Sequence, residues 1–297
     1  MTPQSLHPGH VLELGDWRVR VLDGGRLSLD GGAMFGSAPR ALWERLIVPD
    51  ERHRIPLAMR LLLLEHRVAG HRVLVDTGIG DKFDERFRDL FDVRNPVASA
   101  GSSPLATLLA AHGLAVDDIT HVLLTHLHFD HAGGVSIRDG ERVVPSFPRA
   151  EHFLRRANLA EAEAPNPRER ASYLAENVAP LHDTRLTLID DDAEILPGLR
   201  VERSDGHTVG LQTVRVEGGG RVLRYVADVA PTAHHVHLPI TMGYDLCSRQ
   251  LLGEKERLWR AALDEEATIV FEHDAEVALA RIAFDGRKYR AEPIAVN

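Results

Sequence analysis

The sequence has a single cysteine, Cys247, so no disulfide can close within the chain. Cysteine usage therefore leaves the redox compartment open, and the expected location is the cytoplasm. Long apolar runs are also missing. The longest aliphatic stretch, Leu61-Leu62-Leu63-Leu64, is far short of the roughly 20 residues a membrane-spanning helix needs. The first ten residues, MTPQSLHPGH, have neither the basic start nor the apolar stretch of a secretory leader. Positive charge is scarce: 35 Lys and Arg stand against 44 Asp and Glu, a net charge of -9 at pH 7. That balance argues against a nucleic-acid-binding face, which must replace phosphate counterions with basic side chains. No repeat of solenoid length, low-complexity tract or linker divides the chain, so one domain over residues 1–297 is expected.

What remains is an ordinary globular composition, 44% hydrophobic and 27% charged over 297 residues. A chain of this size buries enough apolar surface to need no structural staple, so a metal site in it would serve function. The 17 histidines make their placement the informative question. Strand-like runs are expected at residues 17–22 and 26–29 around the turn residues Asp23-Gly24-Gly25, and at 60–65 and 72–75 around Ala69-Gly70. A helix is expected over 104–112: Ser103 suits the cap, Pro104 the first helical position and Gly113 the left-handed end. Further strands are expected near 120–124, 152–154, 185–189, 199–203, 211–216, 222–227 and 268–272, and helices near 168–177 and 250–264. Two strand-rich layers with helices outside follow from this pattern.

The chemistry is concentrated in Thr125-His126-Leu127-His128-Phe129-Asp130-His131. His126 and His128 are two residues apart and point to one side of an extended backbone. Asp130 and His131 follow where the strand should end, and Ala132-Gly133-Gly134 lets the chain turn. Neutral imidazole and carboxylate are ligands of zinc and similar divalent ions, and so many in one patch are costly to bury without metal. The run supplies two ligands for one ion and two for another. His207, Asp228 and His273, each beside an expected strand, are candidates for the remainder.

The run His126-x-His128-x-Asp130-His131 resembles the signature of the metallo-β-lactamase superfamily. Asp76 in Val75-Asp76-Thr77-Gly78, the Gly206-His207-Thr208 loop, Asp228 and His273 occur in the matching order. The resemblance implies an α+β fold, a four-layer αββα sandwich with metals at one edge. It implies that His126, His128 and His207 bind one ion, that Asp130, His131 and His273 bind a second, and that Asp228 bridges them. Asp76 would orient a ligand histidine from behind. Two divalent ions are implied, Zn2+ first, with Mn2+, Fe2+ and Co2+ also fitting.

Met34-Phe35-Gly36, residues 42–46 and Phe271-Glu272-His273-Asp274 resemble a bacterial branch that contains N-acyl-homoserine lactone lactonases. The resemblance implies quorum quenching by lactone opening, through attack of a hydroxide shared by the two ions, with Asp130 and Asp228 taking part. Organophosphate, aryl-ester or thioester hydrolysis is the alternative within the fold, and a non-catalytic metal-binding protein the alternative outside it. The best-known lactonases of this branch carry a tyrosine soon after the bridging aspartate. Here Val229-Ala230-Pro231-Thr232-Ala233-His234-His235 follows Asp228, so His234 and His235 are candidates for that substrate contact, with Tyr244 a third. The expected partner is a small-molecule substrate, with no nucleic acid and no membrane, and a homodimer stays open.

Overall fold

The computed structural model describes residues 10–96 and 102–294. Residues 1–9, on which the expectation about a secretory leader falls, lie outside the described residues. Among the described residues no helix is long and apolar enough to cross a membrane.

The amino-terminal half forms β1 (Val11–Leu14), β2 (Trp17–Asp30), β3 (Arg54–His66), β4 (Arg72–Val75), β5 (His121–Leu123), a hairpin of β6 (Ser136–Asp139) and β7 (Arg142–Pro145), then β8 (Glu151–Arg155) and β9 (Arg185–Ile189). Apart from the hairpin these make one sheet in the order β1-β2-β3-β4-β5-β8-β9. Pairing is antiparallel from β1 to β4 and parallel from β4 through β9. The carboxyl-terminal half makes a second sheet of β10 (Ala193–Leu196), β11 (Leu199–Ser204), β12 (Leu211–Gly218), β13 (Arg221–Tyr225), β14 (Thr268–Val270), β15 (Leu279–Phe284) and β16 (Tyr289–Pro293), in that order. Only β13 and β14 are parallel there.

Strand alternation builds the layers. On β3, Leu62 and Leu64 face the second sheet with Val201, Val214 and Leu223. Leu61 and Leu63 face the other way, onto Leu105, Leu108 and Leu109 of the helix Pro104–Ala111 and Leu159 of the helix Arg156–Glu163. All four leucines are fully buried, each contributing about 1.5–3 kcal/mol of hydrophobic stabilisation. The long helix Ser248–Asp264 covers the outer face of the second sheet with Leu251, Leu258 and Trp259. The result is the expected αββα sandwich.

Three expectations change. Residues 17–29 are one strand, not a hairpin: β2 pairs with β3 along its whole length and absorbs Asp23-Gly24-Gly25 as a bulge. Gly25 there has φ 115, and a Cβ on Gly24 would lie 2.6 Å from the Met59 carbonyl oxygen, so the glycines serve close strand approach. Residues 168–177 are mostly turns, with a helix only at Ala175–Val178. The side-chain oxygen of Asn166 accepts from the backbone of Arg168 and Glu169, a local turn that competes with a helix. The helices Glu85–Phe91 and Arg156–Glu163 and the last two strands were not expected.

Candidate metal centre

The His-rich run leaves the carboxyl end of β5, where two parallel strands expose their ends. Its start is fixed from β4. Asp76, in the left-handed region at φ 57, accepts from the Thr125 backbone N–H at 2.7 Å and from the Thr125 hydroxyl at 2.8 Å. Thr77 N–H donates to the His131 carbonyl at 2.7 Å and pins the far end of the run. Lys82, buried, adds Nζ bonds to the carbonyls of Gly133 and Ser136.

From the second sheet come His207 beyond β11, Asp228 beyond β13 and His273 beyond β14. All seven candidate ligands are buried. They fall into two sets, His126, His128, His207 and Asp228, and Asp130, His131 and His273, with the donor atoms within each set no more than 4.8 Å apart. Asp228 lies between the sets. Its Oδ2 is 3.2 Å from His207 Nε2, 3.5 Å from His131 Nε2 and 3.9 Å from His126 Nε2, and its Oδ1 is 3.3 Å from His273 Nε2. His207 Nε2 and His128 Nδ1 are 3.2 Å apart, as are His273 Nε2 and His131 Nε2. Donors placed tetrahedrally about 2.0–2.1 Å from an ion sit roughly 3.3 Å from one another. His126 Nε2 and Asp228 Oδ1 are buried with no hydrogen-bond partner among the described residues. Spacing, donor chemistry and these orphaned atoms all fit divalent metal.

The ring nitrogens turned away from the centre fix the tautomers. The Thr125 hydroxyl gives its proton to Asp76, so it accepts from His126 Nδ1 at 3.1 Å and leaves the Nε2 lone pair free. His273 Nδ1 donates to the Ala58 carbonyl at 2.8 Å, and His207 Nδ1 to Asp245 Oδ1 at 2.9 Å. His131 Nδ1 lies 3.2 Å from Asp76 Oδ2 and 3.1 Å from Glu272 Oε2. His128 is reversed: its Nε2 faces Glu169 Oε1 at 3.4 Å, leaving Nδ1 for the centre. Such outer partners orient ligand rings and raise their basicity.

Sequence reasoning named Asp76 among these partners and missed Glu169, Asp245 and Glu272. Adjacency to His273 was the only signal for Glu272. Burial pushes the Glu272 carboxyl up to about 7. Burial opposes charge on His207 and His273, but Asp228 outweighs it, joined by Asp245 at His207, and holds the two rings up to about 10 and about 9 without metal. Both rings then carry a second proton at pH 8, and an ion must displace it. Metal affinity therefore rises with pH until roughly those values. Calorimetric titration at pH 8 in buffers of different ionisation enthalpy should show net proton release. Proton uptake, or none exchanged, would contradict it.

A cavity of about 280 Å³ opens over the centre. His128, Asp130, His207, Asp228 and His273 form its floor, and Leu29, Met34, Leu57, Phe91, Phe129 and Met242 make apolar walls, with Tyr244 beside them. The rings of Phe83, Phe87, Phe91 and Phe129 contact one another, Phe83 stacked on Phe87 and the others edge-on or tilted, and back one wall.

His234 and His235 do not line this cavity, which corrects the expected substrate contact. The short helical turn Ala233–Val236 aims His235 at the core instead. Its Nε2 donates to the Met34 carbonyl at 2.8 Å and its Nδ1 accepts from the Thr232 hydroxyl at 2.8 Å, so both nitrogens are used. Burial pushes its pKa down to about 3, and it stays neutral.

Residues 62–273, more than half of the chain, match the Metallo-beta-lactamase superfamily, and the chain belongs to that family. It is 29% identical over 175 residues to an N-acyl homoserine lactonase of Bacillus cereus, covering 58% of this chain and 62% of that one. A probable metallo-hydrolase of Mycobacterium tuberculosis is 30% identical over 172 residues, 52% of each chain. The matches thus span between about half and under two thirds of those relatives. A probable metal-dependent hydrolase from Staphylococcus aureus superposes with a TM-score of 0.84 at 28% identity, covering 96% of this chain and 100% of that one. AidC, a dizinc quorum-quenching lactonase solved with a product homoserine, shares the fold at a TM-score of 0.78 and 20% identity, covering 99% and 100%.

Proposed function

We propose that the chain is a dinuclear metal-dependent hydrolase that opens N-acyl-homoserine lactones. The observation that carries this reading is the cavity: apolar on its walls, with its floor made of the candidate metal ligands. An acyl chain fits such walls, and the ester bond it leads to then lies over the floor. The relationship to the Bacillus lactonase supports the same substrate class.

In this reading His126, His128 and His207 hold one ion, Asp130, His131 and His273 hold the other, and Asp228 is shared. Two divalent ions held there, zinc first among them, supply Lewis acidity and activate water at neutral pH. The chain's own residues do the rest. With the extra protons displaced, His126, His207 and His273 present Nε2 lone pairs to the centre because their Nδ1 atoms are engaged elsewhere. Leu29, Met34, Leu57, Phe129 and Met242 bind the acyl chain and exclude bulk water. Asp130, on the cavity floor, is placed to take the proton that the attacking water gives up and to return it to the leaving alkoxide.

Burying one methylene is worth about 0.8 kcal/mol, which is roughly a fourfold gain in affinity. On metal-quantified protein, kcat/KM for homoserine lactones should rise by about that factor per methylene until the cavity is full. Aryl esters and a phosphotriester complete the panel. A response flat in acyl length, with the phosphotriester turned over fastest, would replace the lactonase reading with an organophosphate one.

A further inference from the structure

The two candidate subsites are held in different ways. His131 and His273 lean on sheet residues: Asp76 at the end of β4, and the Ala58 carbonyl within β3. The outer partners of His128 and His207 sit on two loops instead. Glu169 faces His128 Nε2, which has no hydrogen-bond partner among the described residues. Asp245 accepts from His207 Nδ1 through Oδ1 and from the Met242 backbone N–H through Oδ2 at 2.7 Å.

One side chain ties these loops together. Arg168, next to Glu169, donates through Nη2 to the carbonyl of Gly243 and, at 3.2 Å, to that of Asp245. On its own loop, Asn166 holds the turn: its Nδ2 donates to Glu169 Oε2 at 2.6 Å, and its Oδ1 accepts from the Arg168 backbone at 2.9 Å. Nη2 carries two N–H groups held in the guanidinium plane, so one nitrogen serves both carbonyls in fixed directions, which a freely rotating lysine ammonium does less well. Arg168 is itself exposed at the cavity rim and touches no candidate ligand.

We infer that Arg168 is a positioning residue: it clamps the Glu169 loop to the Asp245 loop and so sets the metal affinity of the His126–His128–His207 subsite, leaving the other subsite alone. The inference rests on the dinuclear reading above. Outer-shell partners of metal-binding histidines are worth about 10–100-fold in affinity. Arg168→Ala should weaken one of two metal-binding steps by roughly tenfold. Glu169→Gln should weaken the same step, and Arg168→Lys should recover only part of the loss. Because Arg168 and Glu169 act through one ring, the double variant should lose less than the product of the two single losses.

The test is a cobalt(II) titration of metal-free protein against a competing chelator, followed by ligand-field absorption and by the shifted imidazole N–H resonances that assign each step. Thermal unfolding of the metal-free variants is measured alongside. Loss confined to the step assigned to His128 and His207, with unchanged metal-free unfolding, supports the clamp. Equal weakening of both steps, or none, overturns it while leaving two ions in place. If the unmodified protein binds fewer than two ions, the dinuclear reading fails first, and the clamp with it.

Discussion

In Asp228→Ala protein, hydrolysis should fall on the order of 10³-fold, and bound metal should fall with it. Asp228 is the only candidate ligand whose two oxygens face both subsites, Oδ2 toward His207 and His131 and Oδ1 toward His273. Histidines from both subsites hold its carboxyl well below the ordinary range against a burial penalty that would raise it. It therefore stays ionised and balances positive charge that the surrounding core cannot solvate. Removing one partner from a buried charge cluster typically costs about 3–5 kcal/mol, or two to nearly four powers of ten in an equilibrium or a rate. Metal analysis of the purified variant, paired with lactone turnover, gives both quantities. Two ions retained at full activity would remove Asp228 from the shared position. Asp228→Asn, which keeps the shape and loses the charge, should fall close to the alanine variant.

Gly133→Ala should destabilise the protein by about 3 kcal/mol and weaken metal binding at the candidate subsite of Asp130, His131 and His273. A Cβ at Gly133 would sit 2.0 Å from the Ile79 carbonyl oxygen and 2.2 Å from its carbon. The obstacle is backbone on both sides. Gly134 N–H donates to the Gly78 carbonyl at 3.1 Å, and Gly78 bridges to Ala132, so the loop after β4 and the turn after His131 are zipped together. A methyl group forces them apart, and Asp76, which braces Thr125 and His131, moves with the first of them. Gly253→Ala is the matched control. It lies inside the helix Ser248–Asp264 with only the tip of Arg257 near, at 3.9 Å, and should stabilise by up to about 1 kcal/mol. Denaturant midpoints of the two metal-free variants measure the contrast. Equal midpoints would show that the loop contact carries no weight.

The candidate metal run was legible because four ligand-type side chains occur within six residues after an apolar strand, and local sequence alone displays that. His207, Asp228 and His273 were legible through their order and their place beside strands. Glu169 and Asp245 were not. Each sits on a loop whose path depends on contacts far away in the chain, and nothing near Glu169 distinguishes it from a surface acid. The run containing Glu169 read as helix because its composition suits one, whereas the Asn166 turn and the Phe129 N–H bond to the Ser172 carbonyl hold it open. His235 misled in the opposite way. A histidine soon after Asp228, the candidate for the shared position, matches the place of a substrate contact, but the turn at Ala233–Val236 rotates it toward Met34. The Asp23-Gly24-Gly25 step shows the same override in the fold, since turn-like residues became a bulge once β3 offered a full-length partner.

Every strand of the first sheet precedes residue 190, and every strand of the second follows residue 192. Four of the seven candidate ligands belong to the first half and three to the second. The exposed link Asp190-Asp191-Asp192 is the covalent join between the two sheets. A chain cut there would leave each sheet whole and neither able to assemble the ligand set alone. Turnover would then count reassembled molecules, one for each reunited pair, making this scaffold a fragment-complementation reporter whose signal is chelation across the divide.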